Sequence, residues 1–328
     1  MSPWPAKPVP TERPPMSKGR KWTWITLSAC LGLVVTEAAL RAVVGLGDPP
    51  LYRPHATIEY LLVPGSYRRF GNAVFVNSAH MRSPEASAGP RALDETRIMV
   101  LGDSVVNGGS LTDQACLATE LLPALASAGG TLGRLSVCNV SAGSWGPENL
   151  VEYVRGFGTF GCTDAVIVLN SGDAMDVPTF DQLGPEQPTR RPWLAMQELL
   201  QNYGARLVRQ PAPAAPAGDS GERAARSLGE LIDMLAQGGI RCTVLFHPTR
   251  QELERNEDGS VPSLRREAES RGVRCHSTRQ RMREARESGL EPYRDDVHPS
   301  VTGQAALARS ILDCVRGHEH DGAMSPGR

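Results

Sequence analysis

From Thr96 onward the chain repeats one alternation: a short continuous apolar run, then a longer stretch with apolar residues at helical spacing. The runs are RIMVLG (97–102), RLSVCNV (134–140), DAVIVLN (164–170), IRCTVLFHP (240–248) and GVRCHS (272–277). A strand without polar alternation has no solvent face, so these five predict a parallel sheet covered by helices on both sides. The periodic stretches predict helices over 112–127, 147–158, 192–208, 221–237, 261–271 and 300–316. The last of these sets Ala305, Ala306, Leu307, Ile311 and Leu312 on helical spacing. Between Asp176 and about Ser220 the pattern lapses into RQPAPAAPAGDSGER, too rich in proline and alanine for a buried element, and a surface excursion is expected there.

A different pattern opens the chain. Residues 1–21 are rich in proline and carry Lys7, Arg13, Lys18, Arg20 and Lys21 against a single acid, Glu12, and then WTWITLSACLGLVVT follows without a charge. As a helix, Trp22 to Leu40 spans roughly 28 Å, close to the thickness of a bilayer's hydrocarbon layer. The basic flank stays on the cytoplasmic side, which puts everything after about residue 45 across the membrane. LSAC at 27–30 resembles the lipobox of bacterial lipoproteins, but the apolar run continues past it as LGLVV, and no small-x-small cleavage site precedes a polar start. An uncleaved anchor is the reading. Residues 46–93, with GLGDPPLYRPH, NAVFVNS and SAGPRALDE, read as a few short strands without a core of their own. The expected organisation is a basic cytoplasmic tail (1–21), a transmembrane signal anchor (22–44), a juxtamembrane extension (45–93), an α/β domain (94–318) and a disordered tail (319–328).

Composition narrows the function classes. The chain has 328 residues, 40% hydrophobic and 22% charged, with a formal net charge of −1, so no overall field favours nucleic acid as a partner. Eight arginines between Arg265 and Arg286 alternate with Glu267, Glu269, Glu284 and Glu287, the mark of a solvated helix face. Seven cysteines are scattered without a CxxC pair, which removes the common zinc frames. Cys138, Cys242 and Cys275 lie in or beside strand runs, where cysteine acts as a small core residue.

In an open parallel sheet chemistry gathers at the carboxyl ends of the strands. The first run ends in VLGDSVVNGG (100–109), the second leads into NVSAGSWGPEN (139–149), the third into NSGDAMD (170–176), and DDVHPS (295–300) lies beyond the fifth. Ser104 read alone is a helix cap, and Asp295 and His298 read alone are a cap and a surface histidine. Read together they supply what acyl chemistry needs. A serine hydroxyl is a poor nucleophile until a histidine takes its proton, and a carboxylate must hold that imidazole in the useful tautomer. Asp295 and His298, three residues apart, suit a tight turn that brings the carboxylate to the ring, with Asp296 as the substitute. His247 ends the fourth run and is a candidate to line the cleft.

These four blocks, in this order, resemble the SGNH/GDSL hydrolase family over about residues 94–316. The resemblance implies a three-layer, flavodoxin-like α/β fold with a five-stranded parallel sheet, here preceded by a transmembrane helix. It implies Ser104 as nucleophile, His298 as base and acid, and Asp295 as its orienting partner, with no metal or organic cofactor. It also implies an oxyanion hole from the Ser104 N–H, from Gly143 or Ser144 depending on how SAGSWG aligns, and from an asparagine of the third block. That block departs from the family's Gly-x-Asn-Asp: Gly172 stands in the place of the asparagine and Asp173 keeps the aspartate, so Asn170, Asn107 and Asn149 become the candidate substitutes. A lost donor costs about 3–4 kcal/mol of transition-state stabilisation if nothing replaces it. VFVNSAHMRS (74–83) resembles a short Asn-Ser…Arg element of anchored bacterial members, and its simpler reading is a hairpin packed on the sheet edge. The expected activity is hydrolysis of an ester, an O-acyl group on an envelope or exported carbohydrate. Acyl transfer by the same serine and non-catalytic carbohydrate binding are the rival readings.

Overall fold

In the computed structural model, which describes residues 18–129, 134–180, 182–184, 186–201 and 219–323, the chain opens with helix α1 (Lys18–Ala39), extended by a wider π turn over Leu40–Val44. Two antiparallel hairpins follow, β1 (Tyr52–His55) with β2 (Glu59–Leu62) and β3 (Gly65–Arg69) with β4 (Asn72–Val76). The α/β part then runs β5 (Glu95–Gly102), α2 (Ser104–Asn107), α3 (Ala118–Ala128), β6 (Arg134–Ser141), α4 (Pro147–Phe157) and β7 (Asp164–Leu169). It continues with α5 (Ala195–Leu199), α6 (Ser220–Gln237), β8 (Arg241–Phe246), α7 (Arg250–Glu254), α8 (Pro262–Ser270), β9 (Arg274–Ser277), α9 (Arg279–Glu287) and α10 (Val301–Ala323).

The five strands of the main sheet are parallel and lie in the order β6-β5-β7-β8-β9. From β5 the chain passes to one side to make β6 and returns to the other to make β7, so the order reverses beside β5 and leaves a crevice at its carboxyl end. The expected doubly wound architecture is present. The central parts of β5, β7 and β8 are apolar on both faces because successive side chains enter two different cores. Met99, Leu101, Ala165 and Ile167 pack with α4, α6 and α8, and their neighbours Ile98, Val100, Val166 and Val168 pack with α2, α3 and α10.

The helices depart from expectation in a few places. The helix expected over 112–127 starts only at Ala118, after two short 3₁₀ turns, because the Asp113 carboxylate caps Ala115 N–H and holds that stretch in a turn. The arginine-rich face divides into α8 and α9, whose arginines pair outward: Arg271 with Asp233 and Glu267, and Arg281 with Asp313 and Glu284. Of the excursion expected from Asp176 to about Ser220, residues 202–218 lie outside the described residues, as do most of the basic tail and residues 324–328, and the described part includes the short α5. Within the last segment, α10 continues as helix to Ala323, where a disordered tail was expected from residue 319.

The extension differs most. It has a small apolar cluster of its own, Leu62, Tyr67, Val74 and Val76, and it delivers Ile58, Tyr60, Leu61, Ala79 and Met81 to the main core. Its Ser83 hydroxyl accepts Asn139 N–H at 2.7 Å, and Ser87 donates to Val137 carbonyl at 2.9 Å, so residues 83–87 cover the free edge of β6. Among the described residues one helix, Lys18–Val44, is long and apolar enough to cross a membrane.

Candidate active site

Gly102, the last residue of β5, is the pivot of the site. A Cβ there would lie 2.7 Å from Val106 Cγ2 and 3.0 Å from the Val168 carbonyl, so only glycine lets the chain turn from strand into α2 this tightly. Asp103 caps the helix, its Oδ1 accepting Val105 N–H at 2.9 Å. The N–H of Ser104, first residue of α2, lies where helical bonding does not reach. Gly108 ends the turn at φ +72°, and its αL geometry sends the chain back under the site.

The Ser104 hydroxyl lies 2.9 Å from His298 Nε2, across 194 residues of sequence. On the other side of the ring, His298 Nδ1 is 2.8 Å from Asp295 Oδ2 and 3.0 Å from Oδ1. With the proton on Nδ1 donated to Asp295, Nε2 is the acceptor that Ser104 needs. Burial opposes charge on Asp295, but the backbone N–H of His298, its ring and the N–H of Val297 outweigh it and hold the carboxyl below its usual range. Asp296, the substitute, offers only its carbonyl, to Arg250 N–H.

The loop carrying the pair is strapped down. Arg294 N–H donates to the His298 carbonyl at 2.9 Å, Tyr293 hydroxyl donates to the Pro248 carbonyl at 2.6 Å, and His247 Nε2 meets the Val297 carbonyl at 3.1 Å. His247 does not line the cleft as expected. It is fully buried, with Nδ1 on the Thr278 hydroxyl at 3.0 Å, and burial lowers its pKa to about 4, so it stays neutral and serves as a strut.

The three candidate asparagines each have partners within the fold. Asn170 Nδ2 donates to Asp103 Oδ2 at 2.9 Å, and its Oδ1 accepts Gly172 N–H at 2.7 Å, so the amide ties the third block to the first beside the serine and keeps a second Nδ2 hydrogen. Asn107 Nδ2 is held by the Ser141 carbonyl, and Asn149 spans Ile58 carbonyl and Gly146 N–H as part of a helix cap. The second block is better placed: Gly102 pairs with Ser141 across the β5–β6 ladder, so Gly143 and Ser104 each stand two residues beyond paired positions. The Gly143 carbonyl accepts the Tyr60 hydroxyl, and Ser144 is held at φ +53°, unusual for a residue with a side chain. In a trans peptide N–H and C=O point opposite ways, so this bond turns the Ser144 N–H away from Tyr60.

Buried carboxylates flank the serine. Burial raises the pKa of Asp103, against its hydrogen bonds and the His298 charge, and it raises Asp173 well above the usual range, with the Asp103 charge adding to the effect. Asp176, half-buried, is pushed up to about 6 by burial and by the charges of Asp103 and Glu59.

Two contributors escaped the sequence reading. Arg82, 1% exposed, donates to the carbonyls of Asn107, Gly109 and Thr112 and so holds the loop that follows the nucleophile. It lies in VFVNSAHMRS, where the signal was present but was read as a hairpin on the sheet edge. Tyr60 carried no signal, since nothing in sequence links it to Gly143.

No family model and no curated protein matches the chain. Solved structures similar to it include an acetyl xylan esterase, with TM-score 0.44 and 11% identity over 67% of this chain and 99% of the other. Another is an acetylxylan esterase from Geobacillus stearothermophilus, with TM-score 0.41 and 15% identity over 66% of this chain and 93% of the other. A third is a member of the lipolytic G-D-S-L family from Veillonella parvula, with TM-score 0.39 and 12% identity over 66% of this chain and 97% of the other.

Proposed function

We propose that this chain is a serine hydrolase of SGNH/GDSL type that cleaves a carboxylic ester. The observation that carries the reading is the continuous relay Ser104 Oγ to His298 Nε2 at 2.9 Å and His298 Nδ1 to Asp295 at 2.8 Å. Ser104 Oγ attacks the ester carbonyl as its proton passes to His298 Nε2, and the imidazolium is stabilised by the Asp295 carboxylate. The Ser104 N–H and the Gly143–Ser144 turn receive the oxyanion. The tetrahedral adduct collapses as His298 returns the proton to the leaving alkoxide. Water, deprotonated by the same nitrogen, then releases the acid and restores Ser104. Asn170, whose Nδ2 lies on the same Asp103 oxygen that Ser104 Oγ approaches at 3.3 Å, keeps a second N–H as the candidate side-chain donor.

The substrate part of the proposal follows from location. A site held beyond the membrane by the N-terminal helix meets envelope and exported carbohydrate, whose O-acyl groups are esters of the kind this site attacks.

The test is labelling by a fluorophosphonate together with hydrolysis of a short-chain aryl ester. Ser104→Ala abolishes both with the fold intact, and Asp295→Asn lowers kcat by about four orders of magnitude, as loss of the orienting carboxylate does elsewhere. The Asp295 carboxyl, held below its usual range, is already charged at neutral pH and available to orient the ring. Undiminished hydrolysis by the alanine variant overturns the proposal.

A further inference from the structure

The segment before and through α5 is fastened to the end of the apolar helix and not to the catalytic cleft. Glu37, in the last turn of α1, accepts the N–H groups of Ala195 at 2.8 Å and Met196 at 3.1 Å, capping α5 from outside. Arg41 pairs with Glu37 at 2.7 Å and donates to the Trp193 carbonyl at 2.9 Å. The inner face of α5 is equally fixed: Glu198 is buried, accepts Gly47 N–H at 2.6 Å and pairs with Arg69.

The outer face is apolar and bare. Trp193 is 91% exposed, Leu200 69% and Leu194 48%, with the exposed Arg190 and Arg191 just before them. A groove of about 760 Å³ opens beside them, between Pro49, Leu183 and Trp193. An aromatic ring, two leucines and flanking arginines form the composition that settles where hydrocarbon gives way to headgroups. Their position agrees with it. From Trp22 to Glu37 the helix rises roughly 22 Å at about 1.5 Å per residue, so the Glu37–Arg41 anchor falls near the far boundary of the hydrocarbon layer.

We infer that residues 190–201 form a shelf seated in the interfacial layer of the bilayer, with Trp193, Leu194 and Leu200 among the upper acyl carbons and the arginines at the phosphates. The catalytic domain is thereby held at a fixed height on the membrane surface and does not swing on a single tether. The inference rests on Lys18–Val44 crossing a membrane, and its test separates the two.

Full-length protein is placed in nanodiscs of phosphatidylcholine, with or without bromine on the upper acyl carbons, and tryptophan emission is recorded. In the wild type, quenching by bromine reports Trp22 and Trp24 within the apolar helix. In a W4F/W22F/W24F variant only Trp193 and the buried Trp145 remain, and the shelf predicts that bromine still removes part of the emission. Adding Trp193→Phe removes that loss, while fluorophosphonate labelling of Ser104 shows that each variant is folded. Quenching in the wild type without quenching of Trp193 overturns the shelf alone, whereas no quenching in the wild type overturns the membrane span and the shelf with it.

Discussion

Asp103 uses its two oxygens for opposite neighbours, and this decides what the rest of the site must do. Oδ1 caps α2 and leaves the Ser104 N–H open, while Oδ2 takes one hydrogen of the Asn170 amide, a candidate substitute for the donor that Gly172 displaces. The Gly-Asp-Ser and Asp-x-x-His motifs were legible because each works within a few residues of chain. The direction of Asn170 was not, because it is set by a carboxylate 67 residues away. The same crowding has a measurable consequence. Asp176 has a folded pKa of about 6 against 3.8 when free, so between those values the native state binds more protons than the unfolded one, and this group's stability contribution is lost as pH rises through the window. His247 and His80, both lowered by burial, act in the opposite direction over a similar range, so the wild-type profile mixes the two. A comparison of chains isolates the acid: Asp176→Asn should raise Tm at pH 7 and leave it unchanged near pH 4, where the wild-type carboxyl is already protonated. An equal shift at both values would show that Asp176 carries no excess charge cost.

Among the elements, the hairpins β1–β4 reverse the expectation of an extension without a core. Periodicity found the five central strands because burial on both faces leaves no polar positions to confuse the pattern. It gave short strands in the extension but not their core, because these four- and five-residue strands are half buried and owe their place to contacts with the domain behind them. Arg82 shows the dependence most directly, since one guanidinium satisfies three carbonyls of the loop after the nucleophile. Ile58, Leu61 and Met81 are fully buried, and at about 1.5–3 kcal/mol each they match the net stability of about 5–15 kcal/mol that a domain possesses. Removal of residues 1–45 should therefore leave a soluble domain that a fluorophosphonate labels, whereas removal of residues 1–93 should leave no cooperative melt and no labelling. A labelled, cooperatively melting product of the longer truncation would return the hairpins to the status of a linker.

For the whole molecule the charge distribution around α1 sets the orientation. Lys7, Arg13, Lys18, Arg20 and Lys21 precede the apolar segment. Beyond it the nearest cation is Arg41, which the structure pairs with Glu37 at 2.7 Å, so the far end presents almost no net positive charge. Five cations before the segment against one close behind it is the asymmetry from which the proposed orientation is argued. In the proposed orientation Ser104 faces the exported side, away from cytosolic acyl thioesters and within reach of envelope polymers. A reporter that functions only after export, fused beyond Arg328, should be active, and moving the balance by replacing Lys18, Arg20 and Lys21 with glutamine should lower its activity in proportion to the inverted fraction. If instead only a reporter restricted to the cytoplasm functions at that position, the envelope substrate class falls. The serine chemistry would stand, because nothing in the relay from Asp295 to Ser104 depends on the side of the membrane it occupies.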